Sequence, residues 1–176
     1  DVTKDLEIVS DEKYGLTVHI WFQAFYFDGK WVSPIDDEKR AIKQDFYDMV
    51  IARAKGYVEK GVDGIHLDYI RYGGTAHKHD WPECGATWSV TEFCRQLNVA
   101  LKEVNPDVIL SAALMPEIDS EYYYGQNPEQ MGQYLYMMGK TDMNTIDYQK
   151  YSDNMTYGDY FAEMAAEEKK KKKGMI

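Results

Sequence analysis

Gly61-Val-Asp-Gly-Ile-His-Leu-Asp-Tyr-Ile-Arg-Tyr72 is the stretch that decides the fold of this chain. It contains a short apolar strand, predicted from Val62 to Ile70, and it follows a segment with apolar residues at helical spacing from about Asp37 to Lys60. Gly61 stands where a helix ends in a left-handed cap. A helix that leads through a glycine into a buried strand ending in a carboxylate is typical of parallel α/β proteins. Asp68 is therefore the first residue to consider for function.

Two more strands and two more helices are predicted around this stretch. Leu16 to Phe25 is dense in β-branched and aromatic residues, and Val108 to Met115 is another apolar run. Ser89 and Glu92 form a capping box that predicts the start of the helix before the third strand, and Asn127-Pro128 predicts the start of a later helix. The order β-α-β-α-β-α requires parallel strands with right-handed crossovers, so the fold class is α/β.

Side-chain alternation assigns the polar residues of these strands to one face of the sheet. In the second strand Gly64, His66 and Asp68 share a face, opposite Leu67 and Tyr69. The same alternation groups polar and small residues of the outer strands on one face: Thr17, His19, Trp21, Gln23, Ser111, Ala113, Met115 and Glu117. A doubly wound open sheet predicts apolar side chains on both faces, whereas a (β/α)8 barrel turns one face into a lumen that opens at the C-terminal strand ends. The pattern favours the barrel.

Charge and hydropathy limit the partners of the chain. Five of its 20 Lys and Arg form the run Lys169 to Lys173, so the remainder of the chain has 15 basic residues while the whole chain has 30 acidic ones. Because phosphate binding needs a basic face, a nucleic-acid partner is disfavoured. No run of about 18 apolar residues predicts a membrane span, and Asp1 to Asp5 does not resemble a secretion signal. The compartment stays open, with an extracellular or cell-surface location as one alternative.

The length predicts one domain over residues 1–160, followed by a charged tail at 161–176. A full barrel takes about 250 residues, and three predicted strands are too few to close one. We therefore expect a fragment, about strands three to five of a (β/α)8 TIM barrel, whose missing segments come from the parent chain. The fifteen Tyr and four Trp are either a ligand-binding set of rings or a tyrosine-rich surface. Cys84 and Cys94 define neither a disulfide framework nor a zinc site.

Two motifs carry a resemblance to a known family. Gly15-Leu-Thr-Val-His-Ile-Trp-Phe22 and Asp63-Gly-Ile-His-Leu-Asp-Tyr-Ile-Arg-Tyr72 resemble the third and fourth strands of glycoside-hydrolase-like (β/α)8 barrel proteins, glycosidases distantly related to the α-amylase clan. The similarity covers roughly Leu16 to Glu117. Its specific part is the Asp-Gly-Ile-His-Leu-Asp core of the second motif. The resemblance implies a hydrolase that acts on a polysaccharide or glycan.

The resemblance also implies a pair of catalytic carboxyl groups. In the α-amylase clan the carboxylate that ends the fourth strand is the nucleophile, and a Glu that ends the fifth is the acid/base; by position these are Asp68 and Glu117. His66 stands where that clan has an Arg, two residues before the carboxylate, which leaves the exact roles open. Glycoside hydrolysis needs carboxyl groups about 5–5.5 Å apart for retention or about 6.5–9.5 Å for inversion. Neighbouring parallel strands about 4.8 Å apart supply either range.

The remaining candidates are expected to contact the sugar: His19, Trp21, His66, Tyr69, Arg71 and Tyr72. Each also has a structural interpretation. The rings and histidines suit packing in the core, Arg71 suits an ion pair with Asp68, and Glu117 suits a solvated loop. A non-catalytic carbohydrate-binding or surface-interaction module of the same fold is therefore the main alternative to an enzyme.

The loop His77-Lys-His79-Asp80 raises a metal-dependent hydrolase of non-sugar substrates as a third possibility, with His66 and Asp68 as further ligands. A His-x-His pair in a loop is common by chance, and zinc sites need three or four ligands in fixed geometry. The sequence therefore predicts neither a metal nor a cofactor.

Overall fold

The computed structural model describes residues 16–115 and 119–135. Their strands, in chain order, are β1 (His19–Gln23), β2 (Tyr26–Phe27), β3 (Lys30–Trp31), β4 (Ile35–Asp36), β5 (Ala41–Ile42), β6 (Gly64–Asp68) and β7 (Ile109–Ala112). Their helices are α1 (Gln44–Val58), α2 (Ala86–Val104), α3 (Ser120–Tyr124) and α4 (Pro128–Met131), with a 3-10 turn at Ala76–Lys78. Glu117 and everything after Leu135, including the predicted tail, lie outside the described residues.

A parallel sheet of three strands, in the spatial order β1-β6-β7, lies at the centre of the described part. Each strand is the neighbour of the next long strand along the chain, and α1 and α2 provide the two crossovers. The helices pack against each other and therefore cover the same face of the sheet. The described residues thus contain helices and a parallel sheet of three strands, whereas the α/β fold class and its continuation into a barrel stay predictions.

The core lies between this sheet and the two helices. Phe25 is fully buried and packs against Tyr47 of α1 and Phe93 of α2, with ring centroids 6.3 and 5.0 Å away. Both helices contribute an apolar stripe and the sheet contributes one apolar face, whose buried members are Phe22, Val50, Ala54, Val58, Ile65, Leu67, Leu97, Leu101 and Leu110. Full burial of one such side chain stabilises a fold by about 1.5–3 kcal/mol. The opposite face of the sheet is left for polar residues.

Strand pairing brings the polar residues into register on this second face, which we call the polar face. His19 pairs with Gly64, Trp21 with His66, and Gln23 with Asp68 across β1 and β6. His66 in turn pairs with Ser111 across β6 and β7. His66 and Asp68 thus lie on the face away from the helices, as the alternation predicted.

The segment before α1 differs from the prediction. The helix begins at Gln44 rather than near Asp37, because β4 and β5 form a hairpin there. The carboxylate of Asp36 accepts hydrogen bonds from the backbone N–H groups of Glu38 and Lys39 and so closes the turn. The C-terminal end agrees with the prediction, since Gly61 has φ +93 after a helix that ends at Val58.

The capping box predicted at Ser89 and Glu92 is wrong. Helix α2 begins at Ala86, whose N–H donates to Oδ1 of Asp80 at 2.9 Å, so a residue of the preceding loop caps the helix. Ser89 is buried, and its hydroxyl donates to the carbonyl of Ala86. The cap predicted at Asn127-Pro128 is confirmed, because Oδ1 of Asn127 accepts from the N–H of Gln130 at 2.9 Å.

Other expectations concern the strand lengths, the cysteines and the membrane. All three parallel strands are shorter at both ends than predicted. Cys84 and Cys94 are both buried and free. Among the helices of the described part, none has the length and apolar character needed to cross a membrane.

Candidate functional site

Asp68 ends β6 on the polar face, and two donors hold its carboxylate. Oδ2 accepts from the indole Nε1 of Trp21 at 3.1 Å, and Oδ1 accepts from the backbone N–H of Tyr69 at 2.7 Å. The backbone carbonyl of Asp68 accepts from the N–H of Ala24, which extends the β1–β6 pairing by one hydrogen bond. The carboxylate is half-buried and its orientation is fixed. Because these two hydrogen bonds already hold the carboxylate, it would lose little side-chain entropy on binding a ligand.

The backbone of Tyr69 is in an unusual conformation. Its φ of +52 lies in the left-handed region, which costs a bulky L residue about 1–3 kcal/mol. That conformation ends the strand alternation and brings the ring to the side of Trp21, with 6.4 Å between the ring centroids. The predicted placement of Tyr69 with Leu67 on the opposite face is therefore wrong. Packing of its ring and the hydrogen bond from Phe25 N–H to its carbonyl offset the strain.

Four rings form what we call the aromatic cluster: Trp21, Tyr26, Trp31 and Tyr69. Tyr69 stacks on Tyr26 at 5.0 Å and meets Trp31 edge-on at 5.4 Å. Trp21 and Trp31 remain 56% and 39% exposed, respectively, so the cluster presents ring surface to solvent next to Asp68. Aromatic pairs at such distances stabilise each other by about 0.5–1.5 kcal/mol beyond their burial. The cluster is therefore a preformed apolar surface.

The β2–β3 hairpin completes the cluster. Its two-residue turn, Asp28-Gly29, has φ values of +50 and +75, as the tight hairpin turns require, and it places Trp31 opposite Tyr26. The indole of Trp31 then rests on Gly73, where a Cβ would lie only 2.7 Å from the ring. Tyr26 and Trp31 were not predicted as site residues. The turn signal at Asp28-Gly29 was present in the sequence and would have paired them.

Arg71 lies behind the cluster, with its guanidinium carbon 4.6 Å from the ring centroid of Trp31 and 5.1 Å from that of Tyr124. It donates to the carbonyl of Tyr72 and forms no salt bridge with Asp68. The ion pair offered above as a structural interpretation of these two residues is therefore not formed. Arg71 supports the aromatic cluster through cation–π contacts.

His19 and His66 complete the polar face. The ring of His19 lies over Gly64, because a Cβ at that glycine would be 2.9 Å from the imidazole. Nδ1 of His66 is 2.9 Å from Oγ of Ser111. Burial lowers the pKa of His66; the charge of Asp68 acts in the opposite direction, and His19 adds to the lowering. Near pH 7 the imidazole of His66 is accordingly neutral, a state that both donates and accepts hydrogen bonds.

The structure thus places most of the predicted site residues on the polar face or beside it, although His19 lies at the start of β1, at the opposite end of the strands from Asp68. His19, Trp21, His66 and Asp68 share that face, and Tyr69 and Arg71 join through the aromatic cluster. Tyr72 does not join them. It is 2% exposed, its hydroxyl lies 3.0 Å from Oγ of Ser89, and its ring stacks on His79.

The second carboxylate of the predicted pair, Glu117, lies outside the described residues. Its distance from Asp68 therefore stays a prediction. Beside β1, a cavity of about 350 Å³ shares Trp21 and Tyr26 with the aromatic cluster and is lined also by Gln23 and Arg53.

The loop considered for metal binding uses its side chains in other contacts. Nδ1 of His79 lies 2.9 Å from the carboxylate of Asp37, which also accepts from Nε1 of Trp81. His77 stacks on Tyr122 at 4.6 Å, and Asp80 caps α2. In the part of the chain that the structure describes, no three His, Cys, Asp or Glu side chains converge as a metal site.

Comparison with known proteins gives no match: no protein-family model, no curated protein and no solved structure matches this chain. The function is therefore inferred from the chemistry of the site. Its defining features are a carboxylate held by Trp21 and the backbone of Tyr69, an exposed aromatic cluster, and two histidines on the same sheet face.

Proposed function

We propose that this chain is part of a (β/α)8 glycoside hydrolase that acts on a polysaccharide or glycan. The observation that carries the proposal is the position of Asp68, a carboxylate at the C-terminal end of the central parallel strand and next to the aromatic cluster. Parallel α/β enzymes place their catalytic groups at these strand ends.

The aromatic cluster supports a carbohydrate as the substrate. Sugar rings have an apolar C–H face and a rim of hydroxyl groups, so they bind where aromatic rings lie beside hydrogen-bonding side chains. Trp21 and Trp31 provide exposed rings, and His66 and Asp68 provide the polar groups beside them. Arg71, which contacts the cluster, is stacked against Trp31 and donates to the carbonyl of Tyr72.

The proposed chemistry uses Asp68 as the nucleophile, or as the group that stabilises an oxocarbenium-like transition state. Glu117 is proposed as the proton donor to the leaving oxygen. Trp21 and the N–H of Tyr69 orient the carboxylate of Asp68 for attack, and His66 binds a hydroxyl of the sugar. No metal or cofactor takes part in this proposal.

The sheet order supports the barrel part of the proposal. Three parallel strands follow one another in chain order, both crossover helices cover one face, and the polar residues occupy the other. A (β/α)8 barrel repeats this unit until the sheet closes with the polar face inward. The remaining strands are proposed to come from other segments of the parent chain, which would also cover the sheet edges at β1 and β7.

A matched pair of variants tests the proposal. The parent chain, which supplies the remaining strands of the proposed barrel, would be assayed for release of reducing sugar from soluble β-glucan, xylan, α-glucan and chitin oligosaccharides, with binding measured by calorimetry. Asp68→Asn is expected to abolish hydrolysis of the substrate that the wild type cleaves and to leave its affinity within about threefold, since the amide keeps the shape of the carboxylate. Asp107→Asn, an exposed carboxylate just before β7, is the control and keeps wild-type activity.

One observation favours a second candidate, a carbohydrate-binding module without catalysis. The aromatic cluster is built from residues of β1, β2, β3 and the end of β6, and it needs no second carboxylate. Binding without hydrolysis by the wild type would support this module over the enzyme. If neither binding nor hydrolysis occurs with any of the glycans, both carbohydrate proposals are wrong.

A further inference from the structure

Ser111 makes one contact on the polar face that the proposed mechanism has not used. Trp21, His66 and Ser111 occupy equivalent positions on β1, β6 and β7, and they form a row across the sheet one step before Asp68. Oγ of Ser111 lies 2.9 Å from Nδ1 of His66, and the serine is 9% exposed. Alternation along the strand predicts that Ser111 lies on the polar face, but no motif in the sequence indicates that this serine is functional.

The direction of this hydrogen bond depends on which ring nitrogen of His66 carries the proton. A serine hydroxyl has one proton to donate, and among the described residues His66 is the acceptor within reach of Ser111. When the hydroxyl donates to Nδ1, the proton of the neutral imidazole is on Nε2.

We propose that Ser111 is a positioning residue that fixes His66 as an Nε2–H donor toward an oxygen of the ligand bound at Asp68. The ligand part of this inference rests on the proposed function, whereas the proton assignment does not. A fixed donor beside the reacting carboxylate binds a sugar hydroxyl without first having to choose a ring orientation or a tautomer. The same logic operates where a second group orients a catalytic or metal-binding histidine.

Two titratable neighbours and one hydroxyl act on His66. Asp68 follows it on β6 and favours the protonated ring, whereas His19 on β1 and burial against the sheet favour the neutral ring. Ser111, on β7, faces Nδ1 of the ring. Because its hydroxyl can donate to the neutral ring and accept from the charged one, its loss is expected to change the ratio of the two neutral tautomers.

The test is a long-range ¹H–¹⁵N correlation spectrum of the histidine rings in the 176-residue chain, recorded over pH 5–8. The four histidines are few enough to assign with a His66→Gln variant. Wild type should show neutral His66 in the Nε2–H form. Ser111→Ala should mix the two tautomers, whereas Ser111→Thr keeps the hydroxyl and should restore the Nε2–H form.

Binding of the oligosaccharide that the wild type recognises then tests the ligand part. Ser111→Ala should weaken its affinity about 3–10-fold, the effect of one net hydrogen bond, and Ser111→Thr should recover it. An Nδ1–H tautomer in wild type, or a tautomer ratio unchanged in Ser111→Ala, would overturn the positioning role. A changed tautomer ratio with unchanged affinity would overturn the ligand role alone. Absence of binding in wild type would instead defeat the proposed function, and the spectra would still decide the role of Ser111.

Discussion

The indole N–H of Trp21 donates to Oδ2 of Asp68 at 3.1 Å, across the pair of parallel strands β1 and β6. The two residues are 47 positions apart in the sequence and two residues out of register on the sheet, so the long side chain of the tryptophan reaches diagonally to the strand end. The same indole ring forms one side of the aromatic cluster. A single residue therefore both orients the proposed nucleophile and provides ring surface for the proposed sugar.

Replacing Trp21 with Phe separates these two roles. Phe keeps a ring but loses the donor to the carboxylate, so we expect kcat/KM for glycan hydrolysis to fall about 3–10-fold with little change in sugar affinity. The free energy of this hydrogen bond is taken from the low end of the range for charged hydrogen bonds, because Trp21 is 56% exposed and solvent weakens the interaction. Trp88→Phe, at a 49% exposed position of α2, is the matched control. Equal rates for the two variants would mean that the hydrogen bond does not matter for catalysis.

Gly73→Ala should move one ring of the cluster without removing it. The new Cβ would lie 2.7 Å from the indole of Trp31, so the ring must shift away from its place beside Tyr69. We expect a loss of sugar affinity of about 3–10-fold, in line with the value of one aromatic contact, measured by calorimetry on the same oligosaccharides.

The control for this change is Gly56→Ala. A Cβ at Gly56 meets nothing within 4 Å, and the residue lies inside α1. Alanine there should leave sugar affinity unchanged and stabilise the fold by about 0.5–1 kcal/mol, because glycine is unfavourable in a helix. If Gly73→Ala bound the sugar as well as Gly56→Ala does, Trp31 would not be part of the ligand surface.

Gln126 connects the ends of two parallel strands and should be important for stability. Its fully buried amide donates to the carbonyl of Ile70 at 3.1 Å and accepts from the N–H of Met115 at 2.9 Å. Gln126→Leu leaves both backbone groups buried without partners, so we expect the free energy of unfolding to fall by about 2–4 kcal/mol. Urea denaturation measures this loss, and Gln130→Leu, an exposed position of α4, should change it by less than about 0.5 kcal/mol.

Buried tyrosines predict a loss of stability at alkaline pH. Burial raises the pKa of Tyr47, whose hydroxyl donates to the carbonyl of Ser89, and of Tyr72 well above the ordinary value. Below about pH 10 both hydroxyls are protonated in the folded and unfolded chains, and their contribution is fully present. Above that pH only the unfolded chain releases these protons, so the free energy of unfolding falls by up to about 1.4 kcal/mol per pH unit for each group.

Urea denaturation between pH 9 and 11.5 checks this slope. Tyr72→Phe removes one of the two buried hydroxyls. The part of the slope of unfolding free energy against pH that comes from these tyrosines should therefore fall by about half. Tyr122→Phe, at a 58% exposed position, should keep the wild-type slope. An unchanged slope in Tyr72→Phe would show that this hydroxyl ionises in the folded protein near its ordinary pH.

The sequence predicted the polar face well because alternation along a strand is a local property. His66 and Asp68 are two residues apart, so any regular strand puts them on the same side, and strand register then aligned His66 with Trp21 and Ser111. Gly61 was predicted as the end of the first helix for an equally local reason, the left-handed conformation that follows a helix.

Predictions failed where a distant residue decided a local structure. Helix α2 begins at Ala86 because Asp80, in the preceding loop, caps it, and Ser89 is instead taken into the core. Tyr72 appeared available to a ligand, yet the positive φ of Tyr69 ends the alternation and the following chain carries the ring of Tyr72 into the interior. Neither result follows from the spacing of neighbouring residues.

The spacing of residues along the chain was sufficient to predict the parallel order of the three described strands and the face on which His66 and Asp68 lie, because the periods of 2 and 3.6 residues are local properties of the sequence. The tertiary structure decided the orientation of the Asp68 carboxylate, the aromatic cluster around Tyr69 and the contact of His66 with Ser111. These contacts join residues up to 47 positions apart, and their geometry is set only when the strands and the β2–β3 hairpin pack together.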